Sequence, residues 1–296
     1  MNIRDLNYFH QLIKTRNFSQ TAKKFNISQP AVTLAIKRIE VEFNSKLFIR
    51  NRSHQTLQVT PSGYQLDEHV KQILTELDLA QKELKRISSE KILFGLPPII
   101  GTYFFPAVTP LLLQAGLMNS LETVEAGSKD VLELLKKGSL DLALIGSMNQ
   151  LIDPQIKKQT FKKANFKIIV SPSNLLAKKP KIAFQDLADQ PFIALKEGFV
   201  HANAFKQMCH RNGFRPKIVY QTDDVHILKA MVKEKIGIAF LTELAVSPSD
   251  GLVELELVDK NQPQFLISAA YRKNCLLNSK QKKLIKILLA AGWPKR

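Results

Sequence analysis

Apolar positions along the first 60 residues recur at helical spacing. Ile3, Leu6, Phe9 and Ile13 predict a helix over about Ile3–Lys14. Thr21, Ala22 and Phe25 predict a second, with Ser19 as its N-cap. After a short Asn26-Ile27 turn, Ser28 can cap a third helix whose first turn holds Pro30, where a missing N–H costs little. Val32, Ile36, Ile39 and Phe43 share one face of it, so Gln29, Thr33 and Lys37 face outward together. Two short strands, Leu47–Ile49 and Thr56–Val59, flank a polar tip from Arg50 to Gln55. From Thr60-Pro61-Ser62 a long helix begins. In it Leu66, Val70, Ile73, Leu77, Ala80, Leu84 and Ile87 alternate steps of four and three, the seam of a dimerising coiled coil. A single helix lying on its own domain remains the alternative.

From Lys91 the pattern becomes alternating strands and helices. Strands are expected at Lys91–Gly95, Leu121–Glu125, Asp141–Ile145, Phe166–Val170, Phe192–Leu195, Lys217–Gln221, Ile236–Leu241 and Phe265–Tyr271. Helices are expected at Thr102–Gln114, Lys129–Lys137, Ala202–Arg211, Val225–Lys233 and Asn278–Ala290. Such alternation implies an α/β fold with parallel-rich sheets covered by helices. Ile92–Leu121 carries no charged residue, but its four prolines argue against a membrane span. It reads as a strand, a loop and a buried helix. With no apolar segment behind a basic start, and only Cys209 and Cys275, a soluble protein of a reducing cytoplasm is expected.

Charge sharpens the picture. The chain has 43 Lys and Arg against 26 Asp and Glu, a net of +17. Its density is highest in residues 1–62, with 10 basic and 3 acidic side chains. Such an excess suits a polyanion or an acidic ligand. Three short helices followed by a basic hairpin describe a winged helix-turn-helix, and the chemistry fits double-stranded DNA. Gln29 can bond adenine bidentately, Thr33 can bond a base edge, Leu34 can touch a thymine methyl, and Lys37 lies on the same face. Arg50, Arg52 and His54 at the hairpin tip suit a minor groove. Ser19, Lys23, Lys24 and Lys46 are placed for phosphates, and Ser28 and Pro30 begin the reading helix. The competing interpretation is a trihelical domain with a solvated basic face. An enzyme finds little support: Cys209 and His210 diverge by about 100° on a helix, and the six histidines show no metal-ligand spacing. No phosphate-binding or dinucleotide glycine pattern occurs, so neither metal nor cofactor is expected.

The runs Phe18-Ser19-Gln20-Thr21-Ala22, Phe25-Asn26-Ile27-Ser28-Gln29-Pro30-Ala31-Val32-Thr33, Lys46-Leu47-Phe48-Ile49-Arg50 and Val59-Thr60-Pro61-Ser62-Gly63 closely resemble the LysR-type transcriptional regulators. Gly138-Ser139-Leu140-Asp141-Leu142-Ala143 and Gly237-Ile238-Ala239 extend the resemblance more loosely. It implies a DNA-binding domain over 1–62, a linker helix over 63–90, and a two-lobed, periplasmic-binding-protein-like effector domain over 91–296. The lobes would be 91–163 with 267–296, and 164–266. The resemblance also implies homodimers or homotetramers on an interrupted palindrome, and leaves RNA polymerase open as a further partner. Matching positions place an effector against Pro98, Ile99 and Thr102, Ser128, Ser147, His201 and Asn203, with Thr222 closing the cleft; each could instead be an ordinary cap or surface residue. Leu34 and Ala35 depart from the family pattern, as do Lys235-Ile236-Gly237, Thr242 and Pro97-Pro98-Ile99-Ile100. Within the family, Met1–Leu6 and Ile36–His54 look like regulators of malolactic fermentation genes, which implies an organic acid such as malate as effector. The alternative is an architectural DNA binder without an effector, which would have no use for about 200 residues of α/β structure.

Overall fold

The computed structural model describes residues 1–50, 57–89, 91–149 and 152–291. Two compact units divide the chain, Met1–Lys85 and Arg86–Arg296.

In the first unit, α1 (Ile3–Thr15), α2 (Phe18–Phe25) and α3 (Gln29–Glu42) pack around Leu6, Phe9, Leu12, Val32, Ile36 and Ile39. Strands β1 (Phe48–Arg50) and β2 (Leu57–Val59) pair antiparallel, with Phe48 opposite Val59. The wing is fixed at its base by Glu40, whose Oε1 accepts from Leu47 N at 2.8 Å. Helix α4 (Pro61–Ser89) follows. Its first turns lay Leu66, Val70 and Leu74 on the trihelical core, while Ile73 and Leu84 stay 45% and 68% exposed. The heptad therefore splits in use. Val70 covers its own domain, and Leu74, off the repeat, joins it; Ile73, Ala80 and Leu84 remain exposed within the chain.

Two expectations in this unit are corrected, and one departure is explained. Asn17, not Ser19, caps α2, its Oδ1 accepting from Gln20 N at 2.9 Å. Phe43 is 47% exposed because α3 ends at Glu42, and beyond the end the helical periodicity no longer sets which way a side chain faces. Ala35 is fully buried, filling the inner face that a longer residue would overpack.

The second unit is built on one eight-stranded sheet. It comprises β3 (Ile92–Gly95), β4 (Leu121–Val124), β5 (Leu142–Ser147), β6 (Ile156–Val170), β7 (Lys181–Ile182), β10 (Ala239–Thr242), β11 (Val253–Leu257) and β12 (Gln264–Arg272). The order is β4-β3-β5-β12-β6-β11-β7, with β10 also on β6. Strands β8 (Pro191–Leu195) and β9 (Lys217–Thr222) form a separate parallel pair, joined to the chain before β10 by the Phe192–Ile238 bridge. Helices α5 (Pro98–Tyr103), α6 (Phe105–Gln114), α7 (Ser128–Lys136), α8 (Val200–Arg211), α9 (Val225–Lys233) and α10 (Ser279–Ala290) complete the unit.

The expected parallel pairing holds for β3 with β4 and β5 and for β8 with β9, and two strands beyond those expected, β7 and β11, also pair parallel. The centre is antiparallel instead: β12 pairs with both β5 and β6, and β6 with β10 and β11. β12 lies between β5 and β6 and runs antiparallel to both, so those two strands point the same way without pairing with each other. The expected loop after β3 is helix α5. Its Pro98 stands at the helix start, where proline is accommodated.

Candidate nucleic-acid interface and ligand cleft

On the first unit, α3 presents Gln29, Leu34 and Lys37 to solvent, with Leu34 55% exposed. Ser28 caps the helix by accepting from Ala31 N, and Pro30 sits in the first turn. Ser19, on the neighbouring helix, donates its hydroxyl to Gln29 Oε1 at 3.0 Å. Thr33 is half-buried and its hydroxyl donates to Gln29 O at 3.2 Å. Lys23 is exposed. Lys24 donates to Gln11 Oε1, and Lys46 pairs with Glu40 at 3.1 Å. Arg50 ends β1, but its side chain, with Arg52 and His54, lies outside the described residues.

The reading helix is anchored from behind. Asp5 is buried in α1 and takes a forked pair of bonds from Arg38 of α3. It also closes a capping box with Asn2. The Arg38 guanidinium, offset in part by burial, holds its carboxyl below the usual range.

In the second unit, the starts of α7 and α8, the Pro97–Ile100 turn and Phe265 of β12 enclose a cleft. The structure brings Pro98, Ile99, Ser128 and His201 together there. It does not place Thr102, Ser147, Asn203 or Thr222 in the lining. Thr102 is carried one turn along α5 to an exposed position, and Asn203 points to solvent on α8. Ser147 ends β5 opposite Leu266. Thr222 is buried, its hydroxyl accepting from Asp224 N at 3.0 Å ahead of α9. Sequence reasoning missed Gly127, Phe199, Val200 and Phe265 in the lining. A glycine before a helix start and an aromatic before His201 were the signals on offer, and both are weak.

Two helix starts meet in this cleft, and neither is capped by a side chain. Gly127 precedes α7 and Phe199 precedes α8. First-turn N–H groups left in this way favour an anion. Ser128 is the first residue of α7 rather than its cap, and its Oγ accepts from Gly146 N at 2.9 Å, which leaves the hydroxyl proton to donate. Gly146 permits the approach: a Cβ there would stand 2.7 Å from the Phe265 ring and 3.2 Å from Ser128 Oγ. The walls are drawn together, since a Cβ on Gly127 would come within 3.7 Å of Gly198 O. About 20 Å³ is left, room for roughly one water and not for an organic acid.

His201 is the polar group at the centre. It is 2% exposed, its ring 5.3 Å from that of Phe166 and 5.2 Å from that of Phe265. Nε2 has no hydrogen-bond partner among the described residues. Burial pushes its pKa down to about 3, so the ring is neutral near pH 7. A roomier cavity of about 260 Å³ lies between α8 and β9, but Cys209 in its wall is a buried thiol pushed up to about 11, and no uncapped helix starts converge there. Among the described residues no cluster of three or more His, Cys, Asp or Glu could hold a metal, and no helix is long and apolar enough to cross a membrane.

Comparison with known proteins agrees with both halves of this arrangement. Residues 3–64 match the bacterial regulatory helix-turn-helix proteins of the LysR family, and residues 87–293 match the LysR substrate binding domain. The malolactic fermentation system transcriptional activator of Lactococcus lactis is 34% identical over 289 residues, covering 97% of this chain and 98% of that protein. Among solved structures, a Corynebacterium glutamicum OxyR C206 mutant shares the fold over 98% of this chain and 92% of its own, at 19% identity and a TM-score of 0.57. The effector binding domain of QuiR in complex with shikimate covers 67% of this chain and 95% of its own, at 18% identity and a TM-score of 0.59. The chain belongs to the LysR family of transcriptional regulators, which bind DNA through the winged helix-turn-helix and carry an effector-binding domain behind it.

Proposed function

We propose that this regulator senses a small organic acid in the cleft between the starts of α7 and α8, with malate the first candidate. The observation that carries the reading is His201 Nε2, a buried polar atom without a partner among the described residues, standing where two uncapped helix starts converge. Buried polar groups are ordinarily satisfied, and an orphan at such a place is a partner for a polar atom of a bound ligand. The 34% identical relative named for malolactic fermentation supports an acid of that pathway class. Pro98, Ile99 and Ser128 supply the walls and a hydroxyl donor.

The cleft must open to admit even a four-carbon acid, so the ligand selects a state with wider lobes and shifts the population towards it. On DNA, Gln29 and Thr33 read bases from α3, with Leu34 and Lys37 beside them. Ser19, Lys23, Ser28 and Pro30 set that helix against the backbone. The exposed Ile73, Ala80 and Leu84 of α4 are offered to a second copy, giving dimers or tetramers on an interrupted palindrome. Ligand binding alters the spacing of the paired subunits and so the DNA bend.

A thermal-shift screen of the purified protein against L-malate, citrate and lactate tests the ligand, since saturation at 100 times Kd adds about 2.7 kcal/mol. A silent screen overturns the organic-acid reading. A preference for operator over random DNA below about 10³-fold overturns the regulator's sequence specificity.

A further inference from the structure

The organic acid meets an unusual group in this cleft. A buried, neutral imidazole whose Nε2 has no hydrogen-bond partner among the described residues can do one of two things when a ligand arrives. It can accept a hydrogen bond from a ligand hydroxyl and stay neutral, or it can meet a carboxylate. A carboxylate cannot donate to a neutral Nε2, so two acceptors would face each other without a proton between them.

The surroundings decide between these. His201 is the second residue of α8, at a helix start whose N–H groups attract the charged end of an acid. The start of α7 does the same from the other wall, with Ser128 able to donate. Both electrostatic attractors therefore draw the carboxylate, rather than a hydroxyl, into the space that His201 borders.

Among the described residues no fixed charge competes for that role. Phe166 and Phe265 are what β6 and β12 turn towards the ring. Lys167, next to Phe166, is engaged by Glu243 and Glu254. On α7 the charged residues of the first turn are Lys129 and Asp130, both exposed. Glu197 ahead of α8 pairs with Lys206 of the same helix, and His210 and Arg211 lie two turns or more further along. From α5, Tyr103 is the one titratable side chain, and its ring lies against Lys229 and His226.

We propose that His201 makes effector binding proton-coupled: the cleft takes up a small carboxylate together with one proton, held between Nε2 and the carboxylate oxygen. The inference rests on the organic-acid reading above. The proton count is the same whether the proton stays on the imidazole or is shared with the acid. Neutral in the ligand-free state, the ring is protonated only when the anion is beside it, so uptake occurs on binding. Affinity for the ionised acid then rises as pH falls, by up to about tenfold per pH unit below the pKa that His201 acquires in the complex.

Calorimetry of the full-length protein with L-malate, citrate and lactate at pH 6.5 tests this, in two buffers of different ionisation enthalpy. With lactate and malate largely ionised at that pH, the expected result is uptake of more than half a proton per site. In His201→Gln the uptake falls to near zero and the pH dependence of affinity disappears with it; His201→Asn serves if the first variant does not fold, and the wild-type proton count stands alone if neither does. Binding without proton uptake overturns the inference and leaves the organic-acid reading intact, with His201 then accepting from a ligand hydroxyl. No binding of any of the three acids overturns both. Uptake that persists unchanged in a folded His201 variant assigns the proton elsewhere and overturns the inference alone.

Discussion

Ser19 Oγ donates to Gln29 Oε1 across 3.0 Å, so the first exposed residue of α3 is held by a hydroxyl from α2. The bond leaves both Nε2 protons of Gln29 and one Oε1 lone pair, which is what a bidentate contact with adenine needs. Gln29→Ala is expected to cost about 1–3 kcal/mol on the specific operator and little on random DNA. Ser19→Ala should give a smaller loss on the operator. Lys23→Ala should weaken both alike and lower the salt slope by about one. Gel-shift titrations on operator and random duplexes at several salt concentrations separate the three. Equal losses for Gln29→Ala on both duplexes remove it from base readout.

The Asp5–Arg38 fork links the first turn of α1 to the middle of α3, and its acid partner also closes the capping box with Asn2. Asp5→Ala is expected to destabilise the first unit by about 1–2 kcal/mol, the cost of a lost cap with its neighbouring bonds. The pH dependence follows from the lowered pKa of Asp5. The carboxylate contributes fully above its ordinary value of 3.8, and the contribution is lost as pH falls through the lower folded value. Acid unfolding followed by circular dichroism should therefore begin at higher pH in Asp5→Asn than in the wild type. An unchanged acid midpoint removes Asp5 from the account.

Lys229 is the clearest buried cation of the second unit. It is 6% exposed, and its ammonium lies 2.7 Å from each carboxylate oxygen of Asp250 and 3.1 Å from Ala245 O. It also sits 4.8 Å over the Tyr103 ring. Removing one member of such a pair strands the other. Lys229→Met is expected to cost about 3–5 kcal/mol, and adding Asp250→Asn to it should recover much of that loss. Urea denaturation of the four-member cycle measures the coupling. Additive losses in the double variant would mean that the pair does not act as a unit.

Much of this fold is legible in the sequence because local and tertiary preferences agree. Ser28, Pro30 and the Val32–Ile36–Ile39 face mark α3 without ambiguity, and the structure keeps all of them. Agreement fails where pairing overrides local signal. The strand expected from Phe166 begins ten residues earlier: the added stretch of β6 carries Lys157, Lys158, Lys162 and Lys163, yet β12 pairs with it from Ile156 to Asn165, with a register shift at Phe161. Strand β7 is two residues long and exists through its neighbour β11. In the cleft, His201 and Ser128 follow from resemblance to the family. Phe265 does not, because it reaches the site from a strand that follows α8 by more than fifty residues and carries no local mark of its role.

Gly127 offers the sharpest test of the cleft itself. Its φ of −58° is open to any residue, and a Cβ there would lie 3.7 Å from Gly198 O and 3.8 Å from Asp130 Oδ2, ordinary contact distances. Gly127→Ala should fold normally and lose only a few tenths of a kcal/mol or somewhat more from the N-cap preference for glycine over alanine. Gly127→Leu has the same backbone latitude but carries its branched end into the facing wall at Gly198, where about 20 Å³ remains. The bulk is expected to hold the walls apart and occupy the space an acid needs. Operator binding should survive, since α3 and the wing belong to the other unit, while the melting shift with L-malate disappears. A full-sized shift in Gly127→Leu would place the ligand outside this cleft, and the cavity between α8 and β9 would become the next site to test by filling substitutions at Cys209 and Ala202.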